Sequence, residues 1–141
     1  MSGMTLERAS QIIPAVLKKG RQLGLKPLSV AVLDACGHLI AFQRQDGSSI
    51  MRFQIAYGKA FGALALGVSS RKIGEMAAER PNFVASLGAI APYGVIPAAG
   101  GVIIMDQGVI MGAVGVTGDT SDNDELCALS GIAAANMEAQ P

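Results

Sequence analysis

Six of the chain's eighteen glycines fall between Gly100 and Gly118, among residues that are mostly valine, isoleucine and methionine. β-Branched residues suit a pleated, half-buried strand. Glycine inside such a strand marks a bulge, or a place where another backbone or a ligand comes close. The segment therefore reads as a buried strand, Gly101–Asp106, a turn at Asp106-Gln107-Gly108, and a returning strand, Val109–Thr117. Its GAVGVTG run (112–118) superficially suggests a phosphate-cradling loop, but it lacks the lysine of such loops and its valines suit a strand.

The rest of the chain supplies partners for this pair. Residues 28–34 (LSVAVLD) and 38–44 (HLIAFQR) read as a hairpin around Ala35-Cys36-Gly37, where the glycine can take positive φ. Residues 5–23 read as a helix capped by Thr5, with Glu7 in its first turn and Gly24 as its stop. Pro14 should kink it, because proline donates no backbone hydrogen bond. From Ser49, the residues Ile50, Phe53, Tyr57, Ala60, Phe61 and Leu64 repeat at helical intervals. Gly58 and Gly62, four apart, allow close approach of another element. A helix from Arg71 to Arg80, capped by Ser69 or Ser70, stops at Pro81, and a short helix Pro81–Leu87 follows. Residues 88–101 read as a loop with a short strand near Gly94–Pro97. A last helix, capped by Ser121 or Asp122, ends near Met137. Hairpins, not βαβ crossovers, join the strands. The prediction is an α+β fold, one antiparallel sheet covered by helices, in one domain spanning 1–141.

Composition narrows the partners. Eleven basic residues balance eleven acidic ones, which argues against nucleic acid or an anionic membrane, since both demand a dense basic patch. Half the residues are apolar and only 16% are charged, so apolar surface should remain after folding and favour a homo-oligomer. Cys36 and Cys127 form no CxxC pair. MSGMTLERAS has no secretory pattern, and no charge-free apolar run is long enough to span a bilayer. A cytoplasmic protein with reduced thiols is expected.

Few residues look equipped for chemistry. His38 is the only histidine; it is a hairpin residue, or a ligand or acid–base group. Glu75 and Glu79 lie four apart on a helix and could bind a cation weakly, although Arg71 and Lys72 can pair with Glu75. Asp119, Asp122, Asp124 and Glu125 are best explained by capping and by the helix dipole. Lys59 flanks an apolar helix face, where lysines usually snorkel; if buried, its pKa would fall and it could act as a base or bind an anion.

Three blocks, SVAVLDACGHLIAFQRQDG (29–47), AYGKAFGAL (56–64) and AAGGVIIMDQGVIMGAVGVTGDTSDNDELCALSG (98–131), together resemble the GlcG/HbpS family of haem-binding and related proteins, which includes the C-terminal domain of PduO-type proteins. The resemblance covers nearly the whole chain. It implies a profilin-like fold with about five antiparallel strands, a homo-oligomer (a tetramer or an octamer), and haem as cofactor in a role accessory to a catabolic pathway or to redox and iron handling. The family's aspartate run is kept at Asp34–His38 and its glycine pair at Gly100-Gly101, while a common proline is replaced by Ile103. Some PduO-type relatives ligate haem through a histidine of the first helix; residues 5–24 here contain none, leaving His38, Tyr93, Cys36, Cys127 and the methionines. The ExxE iron motif of one branch is absent, because Glu75 and Glu79 are spaced ExxxE.

A small-molecule site would combine Lys59, Tyr93, Gly100, Gly101, Gly115 and Thr117. The alternatives are a cofactor-independent isomerase or lyase, with Lys59 as its catalytic candidate, and a structural accessory subunit without ligand. If the residual apolar surface drives self-association, native mass spectrometry at micromolar concentration will show a multiple of the 14.4 kDa chain; a monomer would contradict this.

Overall fold

The structure, a computed structural model, describes residues 3–141. Helix α1 (Leu6–Gln22) leads into strands β1 (Ser29–Asp34) and β2 (Leu39–Arg44). Helices α2 (Arg52–Leu66), α3 (Ser70–Glu79) and α4 (Pro81–Leu87) follow. Strands β3 (Gly101–Asp106) and β4 (Val109–Thr117), helix α5 (Ser121–Ala134) and a two-residue strand β5 (Glu138–Ala139) complete the chain. All five strands form one antiparallel sheet in the order β2-β1-β4-β3-β5. The expected α+β architecture is therefore present.

Alternation along the strands sorts side chains onto two faces. Val30, Val32, Ile104, Val114 and Val116 pack with Ile12, Val16, Cys127 and Ile132 of α1 and α5. Leu33 and Ala113 point the other way, toward Ala60 of α2. The two faces are built differently. The α1–α5 face is filled by branched side chains. On the α2 face, the helix backbone lies almost directly on glycine: a Cβ on Gly115 would strike the carbonyl of Ala56, and one on Gly101 the carbonyl of Lys59. Glycine in these strands thus sets the distance between helix and sheet. Gly112 marks a bulge, as Ile104 pairs with Gly112 but Met105 with Ile110, leaving Met111 extra.

Several local expectations change. Helix α1 continues through Pro14, which sits on its exposed side. No strand forms at Gly94–Pro97. That segment instead crosses the outer face of α2, where a Cβ on Gly58 would lie 3.2 Å from the Tyr93 carbonyl and one on Gly62 3.1 Å from Val95. A chain stacked over a helix has no ladder to join. The fifth strand is β5, paired to β3 through Ile104–Ala139 and Met105–Glu138. Thr120, not Ser121 or Asp122, caps α5 by accepting from the Asn123 N–H at 3.3 Å. The helix ends at Ala134, because Asn136 turns the chain at positive φ (57°) and sends Met137 into the core.

Gly115→Ala must push α2 off the sheet. It is expected to cost about 1–3 kcal/mol, the usual range for overpacking. Gly88→Ala, where φ is −60° and the nearest atom 3.6 Å away, should be nearly neutral. Urea unfolding of the two variants checks this contrast.

Candidate functional site

Helix α2 presents two flanks, and the candidate residues divide between them. On the flank toward β3 and β4, Lys59 is 2% exposed. Its ammonium donates to the Val116 carbonyl at 3.0 Å and to Asp124 Oδ2 at 3.2 Å. Asp124, itself 1% exposed in the first turn of α5, also accepts from the Asp119 N–H at 3.0 Å through Oδ1. Burial is the largest effect on both groups: it pushes the lysine down and the aspartate up, while their mutual attraction works against each shift. Gly100 and Gly101 border this pair, and Gly115 lies under Ala56. Thr117 is buried and accepts from Arg52 Nη1 at 2.7 Å. The structure therefore gathers Lys59, Gly100, Gly101, Gly115 and Thr117 along one helix–sheet seam, where the polar side chains are already committed, Lys59 to Val116 and Asp124 and Thr117 to Arg52.

Tyr93 lies apart from them, among aromatic residues of the other flank. Phe53, Tyr57 and Phe61, spaced four apart, form a ridge along α2 toward β2. The Phe53 ring centroid lies 4.9 Å from that of Phe42 and 5.5 Å from that of Tyr93, and the Tyr57 ring packs edge-on to Tyr93 at 5.0 Å. Tyr57 and Phe61 stack at 5.8 Å. Beyond Phe61 an apolar groove of about 280 Å³ opens between α2 and the α4 region, lined by Leu66, Leu87, Ile90 and Val95 among others. Ile90 stands 82% exposed at its rim.

The β1–β2 turn adjoins the same ridge. Tyr57 donates its hydroxyl to the Gly37 carbonyl at 2.7 Å; burial, with Tyr93 and Asp34 nearby, raises its pKa and keeps it a donor. Gly37 takes positive φ (85°), and a Cβ there would sit 3.0 Å from the Phe61 ring. Within the turn, Asp34 Oδ1 accepts from the N–H groups of Cys36 (2.9 Å) and His38 (3.0 Å), and Oδ2 faces His38 Nδ1 at 3.3 Å. Partial burial opposes ionisation of Asp34, but these donors outweigh it and hold its pKa below the usual range. Cys36 is exposed, whereas Cys127 is buried in the α1–α5 core, its thiol pushed up to about 11 by burial.

Glu75 and Glu79 are exposed on α3. Among the described residues no three His, Cys, Asp or Glu side chains come together as a metal site. Nor is any helix long and apolar enough to cross a membrane. Arg71 clips α3 to α5 through Asp122 and Glu125.

The chain is thus a five-stranded α+β scaffold that carries an apolar groove beside an aromatic ridge. The family model for haem-degrading HbpS-like proteins matches residues 4–133, and the chain belongs to that family. Among solved structures, it is similar to a PduOC:haem complex (20% identical, TM-score 0.86, 99% of each chain). It is also similar to a doubly substituted form of HbpS from Streptomyces reticuli (27% identical, TM-score 0.80, 94% of this chain and 87% of that one). A 15.0 kDa protein from the dhaT-dhaS intergenic region of Citrobacter freundii is 27% identical over 125 residues, covering 89% of this chain and 87% of that protein.

Two features of the site escaped the sequence. Nothing in the spacing of Lys59 and Asp124, 65 residues apart, shows that they meet. The ridge was visible as a periodic face, but periodicity alone cannot separate a half-exposed aromatic flank from a core stripe.

Removing one partner of a buried ion pair strands the other charge. Lys59→Met and Asp124→Asn should therefore each cost about 3–5 kcal/mol. The double variant should cost less than their sum, and a double-mutant cycle from urea unfolding measures that coupling.

Proposed function

We propose that the protein binds haem on the α2 flank bearing the aromatic ridge, in a role accessory to a metabolic pathway or to haem and iron handling. The carrying observation is the apolar groove continuous, through Phe61, with a turn that offers donor side chains. Haem asks a protein for an apolar surface to cover the macrocycle and for one or two axial donors. Phe61, Leu66, Leu87, Ile90 and Val95 supply apolar surface, and the exposed donors are Tyr93 on the loop that also carries Ile90 and Val95, and Cys36 and His38 on the turn whose Gly37 meets Phe61. Bare-metal binding would need several ligands, whereas a tetrapyrrole brings four of its own.

When bound, haem would supply an iron centre whose reactivity depends on its axial donor and on access to water. The chain's own part is to cover the ring, hold a donor in place and exclude solvent from one face. At about 280 Å³ the groove lies at the small end for ligand sites, so one face of a haem would remain open to solvent or be covered by a second copy of the chain. We read Lys59 as structural, since its donors are committed to Asp124 and Val116. That weakens the isomerase or lyase alternative, which needed it free.

Haemin titrated into the purified protein should give a saturable, shifted Soret band, and substituting Ile90 and Leu87 by aspartate should weaken binding at least tenfold. A spectrum no different from that with a generic control protein would contradict haem binding.

A further inference from the structure

We propose that the N-terminal end of α2 is a binding site for a small oxyanion, a carboxylate or a phosphate, held by Arg44 and Arg52 over the hydroxyl of Ser29. The site lies at the opposite end of α2 from the apolar groove. Arg52 opens the helix and Leu66 closes it, about 21 Å apart at 1.5 Å per residue. It is therefore independent of the haem reading. Ser29 is the residue out of place. Its side chain is fully buried, yet its Oγ has no hydrogen-bond partner among the described residues. A buried hydroxyl left unpaired is costly, and an alanine or valine in the same strand would avoid that cost.

Strand register fixes the side on which that hydroxyl stands. Ser29 pairs with Thr117 of β4 and with Arg44 of β2, and directly opposed residues share a face of the sheet. Thr117 faces α2, since its Oγ1 accepts from Arg52 Nη1 at 2.7 Å. Arg44, Ser29 and Thr117 therefore form a row across three strands beneath the start of α2. The two arginines converge on the loop above that row. Arg44 Nη1 donates to the Ser48 carbonyl at 3.4 Å, and Arg52 Nε donates to Ser49 Oγ at 3.1 Å. Ser48 Oγ in turn donates to the Leu28 carbonyl at 3.5 Å, which holds the loop against the start of β1. Among the described residues neither arginine has a carboxylate partner, whereas Lys59 and Arg71 each have one.

The helix end adds donors of its own. Met51 stands at the N-cap and supplies no side-chain bond, and the N–H groups of Phe53 and Gln54 find no acceptor on the chain. Such free N–H groups, with the positive end of the helix dipole, favour an anion. Ser49, which could have capped the helix, accepts from Arg52 instead. Asp119, two residues beyond Thr117, does not fill the site, because its carboxylate is taken up by the Lys26 N–H and by Asn123. A water molecule could satisfy Ser29, but it would leave two guanidinium charges without a counter-charge. An oxyanion answers the hydroxyl, the helix end and both arginines together, and the planar arginine fork matches carboxylate and phosphate oxygens.

The test uses the full chain, labelled with nitrogen-15, and two probes, inorganic phosphate and acetate, with ionic strength held constant by chloride. The amide resonances of Phe53 and Gln54 should shift saturably with at least one probe, and the tighter probe names the head group. Arg52→Gln and Arg44→Gln should each weaken binding about tenfold or more, as expected for lost hydrogen bonds to a charged group. Ser29→Ala should weaken it about tenfold while leaving the urea midpoint unchanged or raised, because its hydroxyl has no partner in the free protein. A merely structural serine would show the reverse. Arg21→Gln, on the exposed end of α1, should leave binding unchanged. Arg52 also bonds Thr117, so if its variant is unstable, Arg44→Gln and Ser29→Ala carry the test. No saturable shift with either probe, or wild-type affinity in both Arg44→Gln and Ser29→Ala, would overturn the site. Substituting Leu87 and Ile90 by aspartate should leave anion affinity unchanged, so failure of haem binding and failure of this site are read separately.

Discussion

The structure depends on how closely α2 approaches the sheet. With Gly101 and Gly115 beneath the carbonyls of Lys59 and Ala56, the helix sits lower than side-chain packing would allow. That depth decides what each flank can do. It carries Lys59 far enough inward to meet Asp124, and it tilts Phe53, Tyr57 and Phe61 onto the shoulder of the sheet beside β2. On the opposite face branched residues separate helix from sheet, and the close glycine contact there lies between helices, Gly131 of α5 against Ile12 of α1.

The buried pair is a consequence of this depth and not its cause. Two charges taken out of water recover their hydration only through good geometry and further hydrogen bonds. Here the Val116 carbonyl and the Asp119 N–H supply them. The pair joins α2 to the start of α5, and so ties the helices of the two faces around one end of the sheet. Its value lies in fixing that junction more than in net stabilisation.

Much of the fold was legible because its signals are local. Strands β3 and β4 and helix α4 lie where composition and turns place them, since Gly108 and Pro81 punctuate the chain sharply. Gly58 and Gly62 announced a close neighbour, and the 93–96 segment is that neighbour. What stayed hidden was non-local. Strand β5 has only two residues and exists because β3 offers it an edge. Lys59 reads as a snorkelling surface residue until α5 brings Asp124 to it. His38 could be singled out as the sole histidine, but only the turn geometry shows that Asp34 faces its Nδ1.

The brief pairing of β5 with β3 bears on how the protein avoids misassembly. Strand β3 is almost wholly apolar, and an open apolar edge is a template for pairing with other chains. The Ile104–Ala139 and Met105–Glu138 pairs close part of that edge, and Gln140 N–H donates to the Ile103 carbonyl at 2.9 Å to extend the closure. Residues 138–140 thus occupy backbone groups of β3 that would otherwise be free to pair with a strand of another molecule.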